Sequence, residues 1–302
     1  IIPVKWVDTN KGTEESPVYR SRLVAKEIKK VKDKDLEDEL FSAMPPLEAI
    51  RMVVSHAASI KTGRSKHTRG LMTADVSRAY FNAPARRPIY VEITAEDHEP
   101  GDENRCGELL ASMYGTRDAA RNWYEELRRT FVEDIGATVG TASPSVFRVP
   151  GHSEDVLVAI HGDDIVAAGE QNDLESLLIK LQKRFEIKHK FLGKECGQFR
   201  TIELLNRKIT LEEESITIEA DERHANIIVK EAGVSEGNGR KTPIDQKVID
   251  ELGRGEPMSL SEARRYRGLA ARLNYLALDR PDLKILAMNA SKVMSAPYSG
   301  AW

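Results

Sequence analysis

Cysteine is scarce in this chain. Only Cys106 and Cys196 occur among its 302 residues, far apart, with no Cys-x-x-Cys and no paired histidines nearby. This excludes a disulfide framework, argues against a structural zinc site and fits a reducing compartment. Long apolar runs are missing as well. No stretch of about 18 apolar residues appears, and the N-terminus has no signal-peptide shape, so nothing reads as membrane-bound. Net charge is almost absent: 45 Lys and Arg against 48 Asp and Glu leave −3. A nucleic-acid surface must therefore come from local clustering. There is no initiating methionine at Ile1 and the chain stops abruptly at Trp302, so it reads as a piece of something longer.

What is present describes a globular protein, 40% hydrophobic and 31% charged, long enough for two domains or substantial subdomains. A basic cluster lies near the start: Arg20, Arg22, Lys26, Lys29, Lys30, Lys32 and Lys34. It fits a phosphate-binding surface or a solvated charged face equally well. Around it, strands are expected over Ile2–Val7 and Val18–Ala25 as a basic hairpin. Pro45-Pro46 opens an amphipathic helix with Leu47, Ile50, Val53, Val54 and Ala57 on one face. After a basic loop from Lys61 to Arg69, a strand runs from Leu71 into Asp75, and another is expected over Pro88–Ile93. Helices follow over Thr116–Phe131 and from Asn172, where Asn172 and Glu175 have capping-box spacing. Strands at Phe199–Leu205 and Lys208–Leu211 would complete a mixed βαββαβ-like core in residues 69–211. The last third reads as helical: Asp221–Ala232 ending at Gly233, then a Gly/Asn-rich loop. Ser261–Leu278 follows, with a Ser259/Glu262 capping box, and Asp282–Met294 comes after Pro281.

The chemistry gathers on acids. Val156 to Ala168 places two apolar runs around Gly162-Asp163-Asp164, the pattern of a β-hairpin with adjacent carboxylates at its tip. Taken alone, Gly-Asp-Asp is an ordinary turn. Asp75 ends another strand; if the strands are neighbours, three carboxylates converge. Hard oxygen ligands of this kind suit Mg²⁺ or Mn²⁺. A pair of such ions is the arrangement for in-line phosphoryl transfer, which narrows the field to polymerases, cyclases and nucleases.

A resemblance narrows it further. Lys5-Trp6-Val7 with Tyr19-Arg-Ser-Arg-Leu-Val-Ala-Lys26 resembles "KWV…YKARLVAKG". Phe41 to Arg51 resembles "FAPVARLEAIR", and Asp75-Val-Ser-Arg-Ala-Tyr-Phe-Asn82 resembles "DVKTAFLNG". Met113 to Tyr124 resembles "LYGLKQAPRAWY", and the Asp163-Asp164 hairpin resembles "YVDD". Tyr266-Arg-Gly-Leu and Leu273 to Asp282 resemble the closing "YRSLVGSLMYLALTRPDI". Together, nearly chain-long and in order, they resemble the reverse transcriptase domain of copia-type (Pseudoviridae-like) retrotransposon polyproteins. The resemblance implies an α+β right-hand polymerase. Fingers would cover 1–68 with 84–115, a mixed palm 69–213 excluding that insertion, and a mostly helical thumb 214–302. It implies RNA-directed DNA polymerase activity with Mg²⁺ or Mn²⁺ held by Asp75, Asp163, Asp164 and the Val76 carbonyl. The incoming dNTP would meet Tyr80 as the gate beneath its sugar, the amides of Arg78 and Ala79, and Tyr114 and Gly115. A finger cation, Arg22 or Lys26, would complete that pocket. Partners would be an RNA or DNA template-primer, with integrase and ribonuclease H in the same polyprotein. The setting would be a cytoplasmic virus-like particle or the nucleus.

Some positions depart from the pattern. His161-Gly162 stands where the family has Tyr-Val, which loosens the turn. Asp118 and Ala120 replace a Gln and a Pro, and Lys194 to Thr201 aligns poorly with "EAKYFLGIEI", so the alignment does not place the family's proton-donating lysine and offers Lys194 only as a candidate. These departures leave a second reading open: a decayed fragment that binds nucleic acid without polymerising.

Overall fold

A computed structural model of the chain describes residues 1–28, 40, 42–59, 69–102, 104–213, 215–234, 242 and 244–301. Lys29, Lys30, Lys32 and Lys34, most of the basic loop before Arg69, and most of the Gly/Asn-rich loop lie outside the described residues. The chain divides into two compact units, Ile1–Phe199 and Arg200–Trp302.

In the first unit, β1 (Val4–Asn10) and β2 (Tyr19–Ala25) form the expected antiparallel hairpin. Asn10 closes its loop, accepting from the amides of Gly12 and Val18 at 2.9 Å each. Helix α1 (Leu47–Ala58) starts directly after Pro46, whose extended backbone serves as its N-cap. Ala49, Ile50, Val53, Val54 and Ala57 make its buried stripe. Strand β3 (Arg69–Val76) follows. The strand expected over Pro88–Ile93 shrinks to a two-residue β4 (Tyr90–Val91), paired with β5 (Gly107–Glu108). Helix α2 (Ala119–Arg129) begins later than its periodicity suggests, and a single π turn, Thr130–Asp134, extends it.

A six-stranded antiparallel sheet is the centre of this unit. It comprises β6 (Thr138–Val139), β7 (Val146–Val149), β8 (Val156–His161), β9 (Asp164–Glu170), β3 and β10 (Ile187–Leu192), in the order β10-β3-β9-β8-β7-β6. Helix α3 (Gln171–Gln182) joins β9 to β10. The Asn172/Glu175 capping box does not form: the cap is Glu170, which makes no side-chain capping bond, and the helix starts one residue earlier. One face of the sheet carries Met72, Ala74, Val76, Val158, Ile160, Ile165 and Ala167. They pack with Trp123, Leu127 and Phe131 of the α2 segment and Leu174, Leu177 and Leu181 of α3. Helix α1 packs on β3, β8 and β9 from the other face. On that face, opposed pairs Leu71–Ala168, Thr73–Val166 and Asp75–Asp164 run from apolar to acidic. Leu71 and Thr73 are buried, and Asp75 is exposed.

Strand β10 was not foreseen: its alternation of Ile187, His189 and Phe191 with Lys188 and Lys190 is an edge-strand pattern without a turn cluster before it. The strands expected to complete this core instead pair elsewhere. In the second unit β11 (Thr201–Leu204), β12 (Arg207–Leu211) and β13 (Ile216–Glu219) form a three-stranded sheet of their own. Its helices are α4 (Glu222–Ala232), α5 (Gln246–Glu251), α6 (Leu260–Leu276) and α7 (Lys284–Lys292). Asp221 caps α4 at the front and left-handed Gly233 at the back, and the Ser259/Glu262 box opens α6 as expected. Chain and sheets together give the α+β class.

An ion pair is buried in this second unit. Arg207 Nε lies 2.9 and 2.8 Å from the two carboxylate oxygens of Asp279, and the side chains are 8% and 2% exposed. Removing one partner leaves an uncompensated buried charge; replacing both by apolar groups does not. We expect Asp279→Asn to lower stability in urea denaturation by about 3 kcal/mol or more, and Arg207→Met/Asp279→Leu to recover more than half of that loss.

Candidate active site

The hairpin closes on two residues. His161 pairs with Asp164, so Gly162 and Asp163 are the turn. Gly162 has φ +67° while Asp163 stays on the negative side, the pattern of a type II′ turn, which takes glycine first. The glycine that was expected to loosen this turn therefore gives it the backbone it requires. In a two-residue loop both turn carbonyls lack ladder partners. Here each has one: Trp123 Nε1 donates to Gly162 O at 2.9 Å, and Val76 N donates to Asp163 O at 3.1 Å.

Asp75 sits directly opposite Asp164 in the β3–β9 register, so both side chains leave the same face of the sheet. Burial first, then the charges of Asp163 and Asp75, push the Asp164 carboxyl up to about 6. Asp75 is raised too, by burial and by Asp163, against the opposing pull of Lys188 and Arg20. These acids repel one another with too little positive charge between them. As they stand they do not form a closed ion cage. Among the described residues no group of three or more His, Cys, Asp or Glu side chains is disposed to hold a metal ion. The donor set of hard oxygens and unbalanced charge nonetheless suits a hard divalent cation. Val76 belongs with them: its N–H turns toward Asp163 while Ser77 N bonds to Glu186 O on the β10 side. In an antiparallel ladder that alternation turns the Val76 carbonyl toward the hairpin as well.

After β3 the chain reverses sharply. Arg78 takes a left-handed backbone, φ 53°, and bonds Glu186 at 3.0 Å from an exposed position. A short 3-10 turn, Ala79–Asn82, follows. The Asn82 amide reaches the carbonyls of Ser77, Arg78 and Ala79 at 3.2–3.3 Å and holds the reversal closed. Ala79 is buried; Tyr80 lies 4.7 Å, ring centre to ring centre, from Tyr114, and Phe81 meets Tyr114 edge-on at 5.7 Å. Burial and the charge of Asp163 raise both phenols, in keeping with a place beside the acids.

The β1–β2 hairpin reaches this group through β2. Ala25 N bonds Tyr114 O at 2.8 Å and Glu27 N bonds Gly115 O at 3.3 Å. Gly115 has φ +89°, and a Cβ there would collide with the Ala25 carbonyl, so the close approach requires glycine. The Arg22 guanidinium lies 5.7 Å from the Tyr114 ring centre. Lys26, the other finger cation expected, stands past the end of β2, its amide bonded to Pro3 O. Arg20 was read from the sequence only as a member of the basic cluster, with no place beside the acids. It shares a face of β2 with Arg22 and its charge acts on both Asp75 and Tyr114. Lys188 was missed; it lies directly across from Asp75 in the β10–β3 register. Asp118, the departure from a family Gln, is buried and makes bonds of 3.0 and 3.1 Å to Arg87, which also bonds Glu27 at 2.6 Å.

These features sit in a chain whose residues 1–246 match the family model of reverse transcriptase (RNA-dependent DNA polymerase). Over 311 residues it is 25% identical to the retrovirus-related Pol polyprotein from transposon RE2 of Arabidopsis thaliana, and over 306 residues 26% identical to that from transposon RE1 of the same organism. The alignments take in 100% and 98% of this chain but 20% and 19% of the polyproteins, so the chain spans about a fifth of these relatives. Among solved structures, a telomerase from Candida albicans overlaps 97% of this chain and 54% of its own, with a TM-score of 0.40 and 9% identity. That likeness is too loose to add to the fold described above. The chain belongs to the reverse transcriptase family, and the relatives it matches are Pol polyproteins of copia-type retrotransposons.

Proposed function

We propose that this chain is an RNA-directed DNA polymerase that adds deoxynucleotides to a primer paired with an RNA or DNA template, acting as the polymerase segment of a longer polyprotein. One observation carries the reading: Asp75 and Asp164 are opposed across β3–β9, with Asp163 in the adjoining turn, at the exposed end of a face whose buried part holds Leu71, Ala168 and Val166. Fingers, palm and thumb are the proposed roles of 1–68 with 84–115, of the six-stranded sheet with its helices, and of the C-terminal helices. We read the palm as closing with β10 rather than at residue 213, because β11–β13 pair with one another in a separate sheet.

Reverse transcriptases as a family use divalent metal ions and bind nucleic acid. Mg²⁺ or Mn²⁺ would supply Lewis-acid chemistry here, acidifying the primer hydroxyl and neutralising the leaving diphosphate. Asp75 and Asp163 are the proposed holders, with the Val76 carbonyl and Asp164 beside them. The remaining roles belong to the protein's own groups. Arg22, with Arg20 on the same strand face, would meet the triphosphate charge. The amides of Arg78 and Ala79 stand at the open start of a helical turn, where N–H groups lack intrahelical acceptors and suit a phosphate. Tyr80, backed by Tyr114, would lie under the sugar and leave no room for a 2′-hydroxyl.

Primer extension on an RNA template tests this directly. Wild type should extend with Mg²⁺ or Mn²⁺, and Asp163→Asn should lower the rate at least ~10²–10³-fold, the scale for losing one electrostatic stabiliser of the transition state. No extension where a control polymerase succeeds would reject the reading. Salt-dependent binding of an RNA–DNA hybrid without extension would instead select the non-polymerising alternative. Tyr80→Ala should raise ribonucleotide incorporation about tenfold or more; unchanged sugar selectivity would remove Tyr80 from the gate.

Asp164 gives a prediction that needs no substrate. Its carboxyl near 6 lies above the unfolded value near 3.9, so the folded state binds that proton more tightly. The destabilisation is absent below about pH 4, grows through about pH 4–6 and is complete above. In EDTA, wild-type stability should fall across that window. Asp164→Asn should shrink the fall to the part owed to Asp75 and be more stable at pH 7 by on the order of 1–2 kcal/mol, once solvent screening is allowed for. A wild-type curve flat between pH 4 and 7 would refute this account of the charge cluster.

A further inference from the structure

We propose that Trp123 is a positioning residue for Asp163, acting through the indole N–H that it donates to Gly162 O. For its kinetic consequences the proposal rests on the polymerase reading above. The argument is one of peptide planes. The direction of the Asp163 side chain follows from its own φ and ψ, and these are fixed once the peptide groups on both sides are fixed. The plane before Asp163 carries the Gly162 carbonyl, held by Trp123 Nε1 at 2.9 Å. The plane after it carries the Asp163 carbonyl, held by Val76 N at 3.1 Å. One tether comes from α2, and the other from the peptide that follows Asp75. Without the first, Gly162 is the most mobile link in the turn, because glycine crosses between backbone regions freely.

Trp123 is built to hold still. It is 2% exposed on the buried face of α2, and its ring meets Phe185 edge-on with centroids 5.3 Å apart at 76°. Packing alone would be served equally by another large apolar ring. The indole adds a donor aimed at a carbonyl that the hairpin ladder leaves unused. The acids repel one another, so a turn free to swing would carry Asp163 away from Asp75 and Asp164. The Trp123 bond opposes that swing.

The test compares Trp123→Phe, which keeps a ring and deletes the donor, with Phe131→Leu. The latter trims the same core, 0% exposed in the π turn after α2, and leaves the indole in place. Trp123→Phe should lower kcat for primer extension about tenfold or more, leave the dNTP KM within about threefold, and raise the Mg²⁺ concentration for half-activation about fivefold. Phe131→Leu should move neither kcat nor the Mg²⁺ requirement more than about twofold at temperatures where both variants are folded. Equal effects in the two variants would reduce Trp123 to packing and overturn the proposal. A second readout requires no turnover. In ¹⁵N-indole-labelled protein, the cross-peak lost in Trp123→Phe should shift as Mg²⁺ is titrated into wild type and stay put in Asp163→Asn. A stationary cross-peak in wild type at Mg²⁺ concentrations up to tens of millimolar overturns the proposal whether or not primer is extended. A moving one in a protein that extends nothing upholds it and rejects the polymerase reading instead.

Discussion

The register between β3 and β9 is the constraint on which the site depends. Side chains alternate with a period of two, so a slip of one residue would turn Asp75 into the face lined by Met72, Ala74 and Trp123. Polarity alone protects this register weakly, because β3 and β9 are apolar on both faces along most of their length. Shape supplies the rest. Ala167, Ala168 and Gly169 keep β9 thin where helices approach from both sides, and a Cβ on Gly169 would press into Val156. The type II′ turn then fixes where β9 begins, and the Val76–Asp163 bond ties that beginning to the end of β3. Local turn chemistry and global packing agree on one alignment, and that agreement sets the acids face to face.

Much of this was legible in the sequence. The two hairpins, α1, α2 and α3 announced themselves by periodicity and punctuation, and the Ser259/Glu262 box opened α6 as its spacing indicated. Other signals misled for physical reasons. The Asn172/Glu175 spacing was correct but idle, since the chain becomes helical at Gln171 and leaves Asn172 inside the first turn. Strand β10 went unread because its polar alternation resembles a loop until a neighbour is known. Its place in the core was then given to β11 and β12, which are closer to ideal strands but fold locally into a meander. The acids themselves were legible as residue types at strand ends. What Arg20, Lys188 and the indole of Trp123 act on was not, because each acts across a distance in sequence that only a register or a helix face reveals.

The departures from the family pattern take on a different character once their partners are known. Gly162 satisfies a positive φ, so the replaced motif closes a regular turn. Asp118 is a buried acceptor that binds Arg87 and Asn122, and Arg87 extends the group to Glu27. The Glu27 carboxylate also takes the Arg117 amide at 2.8 Å. The end of the β1–β2 hairpin, the loop at Arg87 and the entry to α2 are thereby joined around one charged knot. A charge that looked out of place in the motif is part of what fastens the hairpin to Tyr114 and Gly115.

The sheet's borders have a consequence of a different kind. An open antiparallel sheet ends in two rows of backbone groups that another chain can copy, and proteins guard such rows. Here β6 is only two residues long, and β10 sets Lys188, His189 and Lys190 toward solvent. A strand arriving from a neighbouring molecule would meet too short a template on one side and a charged one on the other. Lys188 thus serves twice: it opposes the negative charge at Asp75 and it helps keep the sheet from growing past its own boundary.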